Sequence, residues 1–190
     1  MIGAYGIVNR LGFFFVMIVM GVNQGMQPIA GYNFGARQYE RVLRVLRLTI
    51  MGATCITTTG FLIAELAPGA AASLFTTDEE LIRLSATGMR LVFAFFPIIG
   101  FQMVATNFFQ SIGMAGKAVF LSLSRQLLFL VPGLLLLPGF FDAATPWNGS
   151  WGVWCAMPLS DLLAAVVTFF MLTAQLRKFR AMMAQPQNAE

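Results

Sequence analysis

Five stretches of this chain are each long and apolar enough to cross a bilayer, and that feature limits its fold more than any other. They run from Tyr5 to Asn33, Leu46 to Leu66, Gly88 to Gln110, Lys117 to Leu137 and Trp151 to Ala174. Crossing a hydrocarbon core of roughly 30 Å takes about 20 mainly apolar residues in a helix. Lipid offers peptide groups no hydrogen-bond partner, so a spanning segment must satisfy them within itself or within a closed barrel. The expectation is an all-α, polytopic membrane helix bundle of about five transmembrane helices, forming a single unit over residues 1–190.

Composition points the same way. Of the 190 residues, 58% are hydrophobic and 11% charged, and the mean hydropathy is +0.76. A soluble domain carries about 25% charged residues. A chain of this size has too little interior to hide so much apolar surface from water. The net charge of +4 comes from basic residues lying mostly between the apolar segments, which indicates membrane orientation and no nucleic-acid partner. Histidine is absent. No nucleophile–base pair, metal-ligand spacing or phosphate-cradling loop is visible, so no catalytic residue, metal or bound cofactor is expected. Cys55 and Cys155 fall in different segments at different expected depths, and no disulfide is expected. Residues Met1–Gly6 lack the basic start and cleavage site of a signal peptide, so the first segment is expected to be retained.

The connectors alternate in charge. Arg37, Arg41, Arg44, Arg47, Lys117, Arg125, Arg177, Lys178 and Arg180 belong to one side, and Arg10, Arg83 and Arg90 to the other. Cytoplasmic connectors collect Lys and Arg. The expected arrangement is a multi-pass protein of the plasma (inner) membrane with its C-terminus in the cytoplasm. In the outer connector Thr76–Thr87, Thr77 and Glu80 have the spacing of a capping box that starts a helix. Pro97 should kink the third span. Trp147 and Trp151 suit the outer interface, and Asn148-Gly149-Ser150 fits a glycosylation acceptor.

Polar side chains inside apolar segments tend to face a partner or a water-filled cavity. The first segment holds Asn23-Gln24-Gly25-Met26-Gln27-Pro28. Asn23 and Gln27 share a helix face, Pro28 should interrupt the helix, and Gly21, Gly25, Gly31 and Gly35 give two close-approach spacings. Such amides either line a path or hold helices together, and the glycine spacings allow self-association. Gln102, Thr106 and Gln110 form a second stripe in the third segment, with Asn107 pointing away from it. Asp161 is the one acid near the centre of a span, sharing a face with Trp154, Pro158, Ala165 and Thr168. It serves as a proton or cation relay or as a hydrogen-bonded brace. Glu65 and Arg125 lie nearer span ends, where Arg125 can snorkel to the interface.

Several motifs occur in a telling order. Gly21-Val-Asn-Gln-Gly-Met-Gln-Pro-Ile-Ala-Gly-Tyr-Asn-Phe-Gly-Ala36 comes first, then Glu65-Leu-Ala-Pro68 and Leu74-Phe-Thr-Thr-Asp-Glu-Glu-Leu81. Phe108-Phe-Gln-Ser-Ile-Gly113, Ser124-Arg-Gln126 and Trp154-Cys-Ala-Met-Pro-Leu-Ser-Asp161 follow. Together they resemble multidrug and toxic compound extrusion (MATE) transporters, over the last five helices of the C-terminal lobe. The resemblance implies an antiporter with two helical lobes that rock about a central cavity. It exports small amphipathic, often cationic compounds in exchange for Na+ or H+. The N-terminal lobe and the first helix of the C-terminal lobe have no counterpart here. Coupling acids that some members carry on the first and fourth helices of that lobe also have none, because Gly88–Gln110 contains no acid within the span. Asn23, Gln24, Gln27, Gln102 and Asp161 are the expected cavity-lining residues. Two other readings stay open: a flippase for lipid-linked substrates from the wider superfamily, and a non-transporting remnant or half-protein that associates with a partner.

Overall fold

A computed structural model describes the backbone of residues 2–144 and 150–184 and the side chains of 3–138 and 156–184. Every described element is helical: α1 (Ile2–Gly35), α2 (Tyr39–Leu66), α3 (Pro68–Ser73), α4 (Glu79–Phe93), α5 (Phe96–Ser111) and α6 (Ala115–Leu123). A π-helical stretch, Ser124–Leu130, joins α6 to α7 (Val131–Ala144), and α8 (Ser150–Ala184) ends the bundle. Helix α1, helix α2, the composite helix from Ala115 and helix α8 are each long and apolar enough to span a membrane. The pair α4 and α5, bent by 50°, is together long and apolar enough to make a fifth, broken span. The expected all-α bundle is therefore present. The expected glycosylation motif at Asn148 and interfacial Trp147 lie outside the described residues, as do the side chains of Trp151, Trp154 and Cys155.

Two local expectations, on Pro28 and on the cap of α4, need correction, and a third, on Pro97, can be made sharper. Pro28 does not interrupt the first span, because α1 runs through it to Gly35. Proline forfeits one backbone bond, and packed neighbours can hold a transmembrane helix together across that gap. In the third span the break comes at Ala94–Phe95, and Pro97 sits in the first turn of α5, where helical N–H groups have no intrahelical partner anyway. The 50° bend directly before Pro97 agrees with the expected kink, with the proline starting the second half of the span. Helix α4 is capped by Asp78, not Thr77: its carboxylate accepts from the backbone N–H of Glu80 (3.0 Å) and Leu81 (3.3 Å). Aspartate is among the strongest N-caps, and Glu79 and Glu80 in the first turn suit the helix dipole.

The spans pack through stripes at helical spacing. On α1 the buried stripe is Ala4, Val8, Leu11, Phe15, Val19, Asn23, Met26, Ala30 and Asn33. On α2 it is Val42, Leu46, Thr49, Ala53, Thr57, Gly60 and Ala64. The small residues of α2 let neighbours come close, and a Cβ built on Gly60 would lie 3.0 Å from the Phe15 ring. One on Gly100 of α5 would lie 2.7 Å from Thr57 Oγ1 and 2.9 Å from the Ala53 carbonyl oxygen. Of the expected close-approach glycines of α1, a Cβ built on Gly31 would lie 3.0 Å from the Ser111 carbonyl oxygen, whereas one on Gly21, Gly25 or Gly35 would meet nothing within 4 Å among the described residues. Phe14, Met17, Leu135, Leu136, Phe169 and Phe170 are exposed, as lipid-facing residues would be.

One end of the bundle is closed by aromatic rings. Phe179 near the end of α8 stacks on Tyr39 at 5.4 Å and meets Phe34 at 5.8 Å and Phe108 at 6.4 Å. Lys117 donates to Gln175 Oε1 at 2.6 Å there and lies 5.4 Å from the centre of the Phe109 ring. These contacts gather the end of α1, the start of α2, the end of α5, the start of α6 and the end of α8. Arg37, Arg41, Arg44, Arg47, Arg177, Lys178 and Arg180 flank that same end.

Gly100→Ala should lower the thermal midpoint of the detergent-solubilised chain, at a cost of about 1–3 kcal/mol for overpacking. Gly21→Ala, with open space around it, should leave the midpoint unchanged. Equal midpoints for the two variants would contradict the close α2–α5 contact.

Candidate functional site

Asp161 lies on the inward stripe of α8, with Pro158, Ala165, Thr168, Leu172, Gln175 and Phe179. Each polar member of that stripe has a partner. Thr168 donates to the Ala164 carbonyl at 2.8 Å, and Gln175 accepts from Lys117. Asp161 Oδ1 accepts from Arg125 Nε at 2.6 Å. The aspartate side chain is 7% exposed and the arginine 41%. Arg125 therefore does not snorkel to the interface but turns inward onto Asp161. The two stand 14 residues of α8 from the Lys117–Gln175 contact, about 21 Å at 1.5 Å per residue. A lone carboxylate at such depth is costly, whereas a hydrogen-bonded ion pair offsets much of its lost hydration.

Two cavities flank this pair. The larger, of about 370 Å³, is mainly apolar. Val8, Phe13, Val16, Phe93, Phe96 and Ile99 line one part of it, and Met157, Ser160 and Asp161 another. The smaller, of about 320 Å³, is polar: Gln102, Thr106, Asn107, Gln110, Ser122 and Gln126 line it. Met103, Arg125 and Gln126 belong to both walls, so the arginine stands between an apolar and a polar space. Gln102 is buried, and its Oε1 has no hydrogen-bond partner.

The expected lining residues divide in two. Gln102 and Asp161 reach the cavities, and Arg125 brings them into one neighbourhood. Asn23, Gln24 and Gln27 line neither cavity. Asn23 is 1% exposed and occupies a core position in the α1 stripe, with neither amide atom hydrogen-bonded. Gln27 Nε2 donates to Asn107 Oδ1 at 3.1 Å, while Asn107 Nδ2 donates to the Met103 carbonyl at 2.9 Å. Asn107 thus ties α5 to α1, a role its position off the Gln102 stripe concealed. Gln24 is exposed, on a face shared with Gly21, Gly25, Pro28 and Tyr32. Asn9 and Gln126 were missed as cavity residues. Asn9 had one available signal, a polar side chain amid an apolar run, and Gln126 lay in the Ser124-Arg-Gln126 motif.

A helical bundle of this kind, with several of its polar groups at two half-open cavities, is matched by known transporters. The MatE family model matches residues 1–135. The chain belongs to the MATE family of transporters. Among relatives, Multidrug export protein MepA of Staphylococcus haemolyticus (strain JCSC1435) is 22% identical over 171 residues, covering 90% of this chain and 36% of the relative. MepA of Staphylococcus aureus (strain NCTC 8325 / PS 47) is 25% identical over 175 residues, with 90% and 37% covered. Of solved structures, the MATE multidrug transporter DinF-BH in complex with R6G has a TM-score of 0.77 at 38% identity, over 90% of this chain and 36% of that one. A MATE structure in the bent conformation has a TM-score of 0.82 at 20% identity, over 96% and 39%, and supports the fold alone. The chain spans little more than a third of the length of these MATE proteins.

Replacing Asp161 should separate charge from hydrogen bonding. Asp161→Leu leaves Arg125 without its acceptor and should cost about 1–3 kcal/mol, below the roughly 3–5 of a fully buried pair because Arg125 is 41% exposed. Asp161→Asn keeps an acceptor oxygen and should cost less, with normal insertion. Thermal unfolding in detergent checks the order, and a more stable Leu variant would contradict it.

Proposed function

We propose that this chain forms the last five helices of a MATE-type efflux antiporter, which exports small amphipathic, often cationic compounds in exchange for Na+ or H+. The observation that carries the reading is the MATE-family match over residues 1–135. Internal geometry supports it, since an apolar cavity with a few polar groups at one end suits amphipathic molecules better than ions or sugars. The relatives' names, which speak of multidrug export, and R6G in the DinF-BH complex support the substrate class.

Transport by alternating access needs two units moving about a site between them. The exposed face of α1, with Gly21, Gln24, Gly25, Pro28 and Tyr32, has the small residues and lone amide of a helix that meets another helical unit. We assign that face to a complementary lobe, and Gln24 to the central cavity. Purified alone in liposomes with a Na+ or H+ gradient, the chain should not move R6G. Gradient-driven R6G movement, absent from empty liposomes, would overturn this requirement for a second lobe. Within a complete transporter containing these helices, Asp161→Asn should reduce efflux while expression holds. Unchanged export across pH would remove Asp161 from transport.

The basic residues at the aromatic end support a cytoplasmic C-terminus in the inner membrane. In a background lacking Cys55 and Cys155, a cysteine replacing Ala181 should resist an impermeant thiol reagent in intact cells. One replacing Thr77 should react. The reverse pattern would invert the orientation.

A further inference from the structure

Among the described residues, Arg125 is the only cationic side chain in the wall of the apolar cavity, and Asp161 the only acid. They bind each other through Arg125 Nε and Asp161 Oδ1 at 2.6 Å. An aspartate whose charge is offset by an arginine attracts a cationic ligand far less than it would with the arginine gone. The surroundings provide the arginine with somewhere to go. Arg125 also lines the polar cavity, whose named walls hold no acid but several amides and hydroxyls. There Gln102 is 5% exposed, and its Oε1 is buried with no hydrogen-bond partner. A buried acceptor without a donor is an unfavourable state, and a guanidinium N–H would relieve it. The residue that moves sits in the π-helical stretch Ser124–Leu130, an irregularity often found at functional sites.

We infer that Arg125 is a tethered counter-cation for Asp161: an amphipathic organic monocation entering the apolar cavity replaces it on the carboxylate, and the guanidinium turns into the polar cavity toward Gln102. The inference rests on the cation-export reading above and adds the site and its exchange. Phe13, Phe93 and Phe96 in the cavity wall supply ring surface that attracts a cation as well as its apolar groups. The exchange keeps the carboxylate paired throughout, and the displaced guanidinium, already 41% exposed in the closed pair, is left to the amides and hydroxyls of the polar cavity. An anion of the same shape gains nothing from Asp161, and a neutral compound cannot displace Arg125. Selectivity for amphipathic cations thus follows from one internal competition. Occupancy of Asp161 by Arg125 lowers the apparent affinity for the cation by the fraction of molecules in which the pair is closed.

The test is equilibrium binding of tetraphenylphosphonium to the purified full chain in nanodiscs, with tetraphenylborate as the anion of matching shape, at mildly alkaline pH. Wild type should bind the phosphonium in preference to the borate. Arg125→Gln removes the competitor and should tighten phosphonium binding by about tenfold or more, while Asp161→Asn should abolish the preference. Gln102→Leu removes the acceptor for the displaced guanidinium and should weaken phosphonium binding several-fold, with borate unaffected. Unchanged or weaker phosphonium binding by a folded Arg125→Gln variant would overturn the exchange. Should that variant fail to fold, Arg125→Lys keeps the charge but loses the Nε contact, and it too should bind more tightly than wild type. Unaltered binding by the Lys variant would be equally fatal. Phosphonium binding indifferent to Arg125 would sink the exchange alone, whereas no phosphonium binding by any variant would remove the cation-binding reading with it.

Discussion

A polar group in hydrocarbon has no water to turn to, and nearly every feature of this bundle answers that constraint. The backbone answers it with helices throughout the described residues. Where a helix breaks, at Ala94–Phe95, proline begins the next segment in a turn that lacks intrahelical acceptors for its N–H groups. Hydroxyls inside the spans answer it locally: Thr49, Thr57, Thr106 and Thr168 each donate to a carbonyl one turn back. Amides and charges require partners on other helices. Gln27 finds Asn107, Lys117 finds Gln175, and Arg125 finds Asp161.

Those three cross-links sit where packing alone would be least specific. Without a hydrophobic drive between helices in lipid, association rests on close fit and on hydrogen bonds. The fit comes from the small residues of α2 against α1 and α5, at Gly60–Phe15 and Thr57–Gly100. The hydrogen bonds then fix which faces meet. Aromatic rings from α1, α2, α5 and α8 close one end, while the Arg125–Asp161 pair holds the composite helix to α8 far from it. Between the pair and α5 lie the two cavities, so the same pair that braces the bundle also borders the space a substrate can use. Among the described residues, the buried side-chain polar atoms left without partners, on Asn23, Ser85 and Gln102, are the exceptions to the rule. Only Gln102 among them opens on a described cavity.

Much of this was legible in the residues. Apolar segments of spanning length mark the helices, because length and hydropathy alone decide whether a segment suits hydrocarbon. Motif order pointed to the MATE family, and Asp161 stood out as a buried acid. The amides of α1 were harder to read. Asn23 shares a stripe with Val19, Met26 and Ala30 at helical spacing, which marks a packing face, yet its polarity suggested a cavity wall. Gln24, one residue on, is turned about 100° round the axis and faces outward.

The sequence by itself determined that the chain is helical, which segments are long and apolar enough to cross a membrane, which residues are too polar for lipid and to which family it belongs. All of these depend on local chemistry and on short windows of chain. Which polar residue meets which was decided only by the tertiary structure. Arg125 and Asp161 lie 36 residues apart on different helices. Nothing local distinguishes an arginine that snorkels toward water from one that turns inward to a carboxylate. That choice depends on how the π-helical stretch and α8 pack against each other beside the cavities, which is a property of the packed bundle.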